Sequence, residues 1–233
     1  LRQQGQQGGK DQPSSKGSHS SSTSGRDSVR ARAAIASTSP EGSALSSAGT
    51  ASTVGTDASC AARLAGAQKA VVAKHGKGFY IDLHGHGHAD ARLELGYAHD
   101  RQELGLPDAE LAKPEFIKKG TLRFFALKNP SAYPALLHGP QSFGALMENA
   151  GFPSTPSLGK PVPGEPYFNG GYNVRTHTAP GTGFAGLQIE SHSKGVRDTD
   201  ASRRKFAAAL VDQLATYLDA QMGLKLPLKP KAR

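Results

Sequence analysis

Apolar positions along the chain change period several times, and each change marks an element. Cys60, Leu64, Ala67, Val71 and Val72 recur at helical spacing, and Gly76 offers a stop. Gly78-Phe79-Tyr80-Ile81-Asp82-Leu83 is then a short apolar run rich in β-formers, which predicts a buried strand. Helix, glycine turn and strand together make an α/β unit. Phe184 to Glu190 (FAGLQIE) predicts a second buried strand. Asp198-Thr199-Asp200 supplies capping chemistry for a last helix, whose stripe of Phe206, Leu210, Leu214, Tyr217 and Leu218 ends at Gly223.

The middle of the chain is less regular. Leu122 to Leu127 (LRFFAL) fits a strand or a helix, and Pro130 and Pro134 bracket a short turn. Gln141 to Gly151 predicts a short helix with Phe143, Leu146 and Met147 inward. Residues 152–171 hold five prolines and four glycines, the composition of a surface loop. Loops of that length are uncommon in compact domains and often functional.

Before residue 60 no such periodicity exists. The first 59 residues contain 15 Ser and no aromatic side chain, whereas all Phe and Tyr lie from Phe79 onward. A stretch of that kind cannot bury enough apolar surface to offset ordering entropy, so disorder is expected over 1–58. The foldable part is one modest domain over 59–223, followed by a basic tail at 224–233. That length is too short for a complete TIM barrel.

Charge adds little. Of the net +9, the first 59 residues carry only +2, and the rest is dispersed except for Lys225, Lys229, Lys231 and Arg233. That last group lacks interleaved aromatics on which bases would stack, so no nucleic-acid partner is expected. No apolar run approaches the ~20 residues of a membrane span, so no membrane partner is expected either. A single cysteine, Cys60, makes no intrachain disulfide and excludes a disulfide-stapled scaffold. The acid-poor, Ser- and Arg-containing start fits an organellar transit remnant as well as generic disorder. An intracellular setting, cytoplasmic or organellar, is the expectation.

Candidate chemistry begins where the first strand should give way to a loop, at His84-Gly85-His86-Gly87-His88. Alternate side chains of an extended segment share a face, and neutral imidazole is a common ligand for transition metals. The competing reading is a solvated His/Gly loop. Asp82 lies two positions before His84, placed either to orient its imidazole or to cap backbone amides. Glu190 ends its strand with Gln188 on the same face, at the sheet edge where α/β proteins bind ligands. Partial burial would raise its pKa and suit it to general-base work; an ordinary strand-terminal salt bridge is the alternative. In Asn169 to His177, paired glycines precede Tyr172, Asn173, Arg175 and His177, which suits a substrate rim or a plain hairpin turn. Arg92 and Glu94 alternate with Leu93 and Leu95, as on a strand edge that pairs charges. His86-x-His88 followed by Glu94 also loosely resembles a cupin arrangement, but the helical stretches 60–74 and 202–222 argue against an all-β barrel.

IDLHGHGH, RLELGY, YFNGGYNVRTH and GLQIE, in that order, resemble the N-formylglutamate amidohydrolase-like family, related in fold to the zinc carboxypeptidases. The resemblance covers about residues 60–222. It implies a three-layer α/β/α domain with a mixed sheet, of the phosphorylase/hydrolase-like kind. It also implies a metal-dependent hydrolase of the amide bond in an N-acyl, typically N-formyl, amino acid, a small-molecule or peptide-like substrate. His84, in the Asp-x-His pattern, is implied as a ligand of one zinc ion, with His86 and His88 as candidate ligands beside it. Glu190 is implied as general base, and Tyr172, Asn173 and Arg175 as the substrate-facing rim. The family's first His and carboxylate ligands precede the helix that begins near Ser59, where this chain is Ser-rich and offers only His19. The expectation is a fragment lacking the N-terminal part of the domain; substitution by His86 and His88, or a degenerate binding module without catalysis, are the alternatives. A fragment would leave the edge of the first strand uncovered and aggregation-prone.

Overall fold

The computed structural model describes residues 56–226, with side chains from residue 62 onward. The segment expected to be disordered therefore lies outside the described residues up to residue 55, as does the basic tail from 227. The chain is mixed α/β. Helix α1 (Thr56–His75) leads into β1 (Gly78–His86) through Gly76, whose φ of 71° suits a residue without a Cβ. After β2 (Leu93–Gly96) come α2 (Arg101–Leu104), α3 (Asp108–Leu111), α4 (Pro114–Lys119) and α5 (Arg123–Ala126). Then follow α6 (Tyr133–His138), α7 (Phe143–Asn149), β3 (Ser154–Thr155), α8 (Tyr172–His177), β4 (Phe184–His192) and α9 (Asp200–Met222).

The four strands form one mixed sheet in the order β1-β4-β2-β3. β1 and β4 are parallel, β2 runs antiparallel to β4, and β3 runs parallel to β2. Among the described residues β1 lies at one end of the sheet.

Side-chain alternation gives the sheet two unlike faces. Phe79, Ile81, Leu83, Leu93, Leu95, Ala185, Leu187 and Ile189 point into the main core, together with Leu137, Phe143, Met147, Phe206, Leu214, Tyr217 and Leu218 from α6, α7 and α9. On the opposite face, Tyr80 and Phe184 pack with Val174 of α8 and with Leu64, Val71 and Val72 of α1. Helices thus cover both faces. The long α9 starts where its sequence says it should: Thr199 Oγ1 accepts the Ser202 N–H at 3.0 Å, and Gly223 at φ 66° ends it.

One open reading closes and three local expectations change. Of Leu122–Leu127, whose sequence fits strand or helix, Arg123–Ala126 forms the short helix α5, with Leu122 and Ala126 buried in the main core and Leu127 exposed. The Pro-rich stretch is not simply surface: Ser154 and Thr155 pair with β2, and Ser157 is buried with them. Arg92 and Glu94 do not sit on an edge, since β2 lies between β4 and β3. The GGY segment is helical from Tyr172, not a hairpin turn.

Candidate active site on the polar face

β1 does not stop at Leu83. Parallel pairing continues through His84↔Glu190, Gly85↔Ser191 and His86↔His192, so two of the three clustered histidines belong to the strand. Gly85 allows this end to close, because a Cβ there would lie 2.3 Å from the Arg197 guanidinium carbon. That guanidinium crosses the strand ends, donating to the carbonyls of Ser191 and His86 at 3.0 and 3.1 Å.

Residues in register across neighbouring strands share a face. One row therefore holds His84, Glu190 and Glu94, the last paired with both Glu190 and Thr155. The row before it holds Asp82 and Gln188, and the row after it His86 and His192. These polar groups occupy the C-terminal end of the parallel pair, on the face opposite the main core.

Glu190 is 7% exposed. Its Oε1 accepts the Gln188 side-chain N–H at 2.7 Å, and its Oε2 accepts no hydrogen bond among the described residues. Burial pushes its carboxyl above the usual range; neighbouring Glu94 and Asp82 add to this, while His84 and Gln188 oppose it. Asp82, 3% exposed, meets His84 Nε2 at 2.8 Å. The orienting role is thus the one this aspartate takes, and His84 Nδ1 has no hydrogen bond among the described residues.

His86, His88 and Glu94 form a second constellation, with one ligand atom from each lying within 4.8 Å of the others. His88 Nδ1 meets Glu94 Oε1 at 2.8 Å, and the His86 and His88 rings lie 4.8 Å apart. His86 Nδ1 accepts the His88 backbone N–H at 3.1 Å, so its Nε2 carries the proton and donates to the Arg92 carbonyl at 2.8 Å. Burial foremost lowers the His86 pKa, which favours neutral imidazole. Glu94 is fully buried: Oε1 also accepts from Arg92 Nε and Nη2, and Oε2 from the Phe168 N–H at 2.8 Å. Arg92 additionally holds the carbonyls of Gly164 and Pro166, and the Phe168 ring stacks on His88 at 4.7 Å. Gly96 permits the same loop to approach, since a Cβ there would lie 2.4 Å from the Gly170 nitrogen.

Two imidazoles and a carboxylate suit zinc in kind, and the outward N–H of His86 on a carbonyl is the usual support for a ligating histidine. Donors sharing a zinc ion at about 2 Å each sit roughly 3.3 Å apart, so the trio would have to draw in from its 4.8 Å spread, and His86 Nδ1 would have to release the His88 N–H. Against this, the Arg92 fork already neutralises Glu94.

Of the sequence candidates, the structure groups His86 with His88 and sets His84 with Asp82 beside Glu190. Tyr172, Asn173 and Arg175 lie on α8, and none of them hydrogen-bonds to Glu190 or the histidines. Arg175 donates instead to Gly170 O and Asn169 Oδ1, and Tyr172 is 81% exposed. The segment reaches the site through backbone, where the Gly171 N–H donates to Gln188 Oε1. Glu94 is the residue sequence reasoning undervalued. Its signal was the His-x-His pattern followed six residues later by an acid in a short alternating strand. His192 and Arg197 carried none. Comparison with protein-family models, with curated proteins and with solved structures gives no match.

Proposed function

We propose that the chain is a metal-dependent hydrolase that cleaves the amide bond of an N-acyl amino acid, N-formyl in the simplest case, with Glu190 as general base. The observation that carries this reading is the row His84–Glu190–Glu94, in which a buried carboxylate with one unengaged oxygen stands between an oriented imidazole and an imidazole-carboxylate cluster. Zinc would be held by His86, His88 and Glu94; His84, which the family resemblance implies as a ligand, stands outside that trio with Asp82 and beside Glu190. When bound, such an ion lowers the pKa of a water and polarises a carbonyl.

The chain's own groups account for the proton movements. Glu190 Oε2 is free to take a proton from water and return it to the leaving amine, and its raised pKa makes it the stronger base for the first of these steps. Gln188 fixes Oε1, so the carboxylate keeps one oxygen aimed away from its neighbour on the strand. Asp82 sets the His84 ring and leaves Nδ1 available. Tyr172, Asn173 and Arg175 form a rim that substrate would cross.

The test is release of formate or another acid from N-acyl amino acids by zinc-supplemented full chain. Glu190→Gln should lower turnover by about 10²–10⁴-fold while zinc content stays unchanged, and His88→Ala should reduce zinc content. A chain that binds about one zinc and hydrolyses none of these amides would overturn the proposal. The alternative is a non-catalytic binding module of the same fold. Its support is the Arg92 fork, which gives Glu94 a cation already. Absence of bound zinc at micromolar metal, with folding unaffected by Glu190→Gln, would favour it.

A further inference from the structure

Just past Glu190 along β4 lies a cleft of about 390 Å³ whose lining includes Arg92, Phe152, His192, Lys194, Val196 and Lys205. No acidic residue lines it. Its cations differ in state. Arg92 is committed to Glu94, Asp90 and two carbonyls. Lys194 and Lys205 make no ion pair among the described residues, and the Lys205 ammonium stands 5.7 Å from the centre of the Phe152 ring. Nearby acids are engaged: Asp198 takes the Gly195 N–H, Asp90 pairs with Arg92, and Asp200 pairs with Arg203. Beneath the lysines the walls are apolar, formed by buried Leu93, Phe152 and Val196.

Uncompensated ammonium groups at the mouth of a low-dielectric cleft concentrate anions, while its apolar floor favours a hydrocarbon body over inorganic ions. The cleft also adjoins the proposed site. His192 lines it and stands two residues beyond Glu190 on the same face, about 7 Å along an extended strand. The His192 ring lies 5.5 Å from that of His86.

We infer that this cleft binds the free carboxylate and apolar side chain of the substrate, so that the chain selects N-acyl amino acids with a hydrophobic side chain over neutral amides. Lys194 and Lys205 hold the carboxylate, and Phe152 and Val196 receive the side chain. The inference rests on the hydrolase reading for the substrate's orientation, not for its binding.

Calorimetric titration of the full chain with N-acetyl-L-leucine, N-acetyl-L-leucinamide and inorganic phosphate tests it. The acid should bind at least tenfold more tightly than the amide, and phosphate should not displace it at equal concentration. Lys194→Gln with Lys205→Gln should weaken the acid at least tenfold and leave the amide unchanged; both positions are exposed, and an unaltered melting curve checks the fold. Glu190→Gln should bind the acid as the native chain does. Equal binding of acid and amide, full competition by phosphate, no saturable binding, or no effect of the double lysine variant would each overturn the inference. Lysine-dependent binding without any hydrolysis would leave the cleft standing and remove the hydrolase. Glu190-dependent hydrolysis with KM unmoved by the lysine variant would do the reverse.

Discussion

The two faces of one four-stranded sheet are built from the same strands and differ only in which alternate residues they display. The odd-numbered positions of β1 and β4 meet α6, α7 and α9 in a continuous apolar core. The even-numbered positions are apolar only at the start, at Tyr80 and Phe184 under α1 and α8, and turn polar toward the strand ends. Apolar packing and the clustered polar groups are therefore segregated by parity. A substitution on the first face should act on folding, and one on the second face should act through charges that depend on each other.

The largest expected effect tests that mutual dependence. Glu94→Ala removes the buried carboxylate from the Arg92 guanidinium, leaving it the exposed Asp90 and two carbonyls, and should cost about 3 kcal/mol of unfolding free energy, read from denaturant midpoints. Pairing it with Arg92→Met should recover most of that loss, whereas simple additivity would mean that the two residues are not coupled. Leu187→Ala, on the opposite face and fully buried, should cost about 3 kcal/mol by leaving a cavity. Unlike Glu94→Ala, it should not be rescued by any change across the sheet.

A smaller effect concerns pH and has opposite signs at two sites. The Glu190 carboxyl is held above its unfolded value, so the native state keeps its proton longer. Its contribution is greatest at low pH and falls as pH climbs from the unfolded value through the raised one, then levels. Glu190→Gln should remove that decline from a stability-versus-pH series. The same raised value should move the acidic limb of a rate profile upward. His99 is buried beside Tyr133, 2.7 Å from its hydroxyl, and burial foremost lowers its pKa although Glu103 pulls the other way. The native state therefore resists its protonation, and stability should drop as pH falls from ~6.5 through the lowered value. His99→Gln should flatten that limb. The smallest effect belongs to Tyr172→Ala, within about 0.5 kcal/mol on stability, so any larger change in KM would report contact with substrate.

Much of the fold was legible because its signals are local. The stripe on α9, the Thr199 cap and Gly223 are read within a few residues of one another, as are the apolar runs that become β1 and β4. Leu122 to Leu127 was ambiguous because a six-residue apolar run fits either period. The loop at 152–171 looked like surface because proline and glycine dominate it, yet its value lies in carbonyls and amides. Gly164, Pro166 and Phe168 contact Arg92 and Glu94 through their backbones, which composition does not display.

The site divides the same way. The sequence by itself determined which side chains share a face, because a period of two is a property of the strand alone: Asp82 with His84, and Gln188 with Glu190. It also supplied the His-Gly alternation that lets the chain stay extended through His86. Register was decided by tertiary structure, since the pairing of β4 with both β1 and β2 is what sets Glu190 between His84 and Glu94. That information resides in contacts between segments roughly a hundred residues apart, and no local pattern encodes which of several possible neighbours a strand will accept.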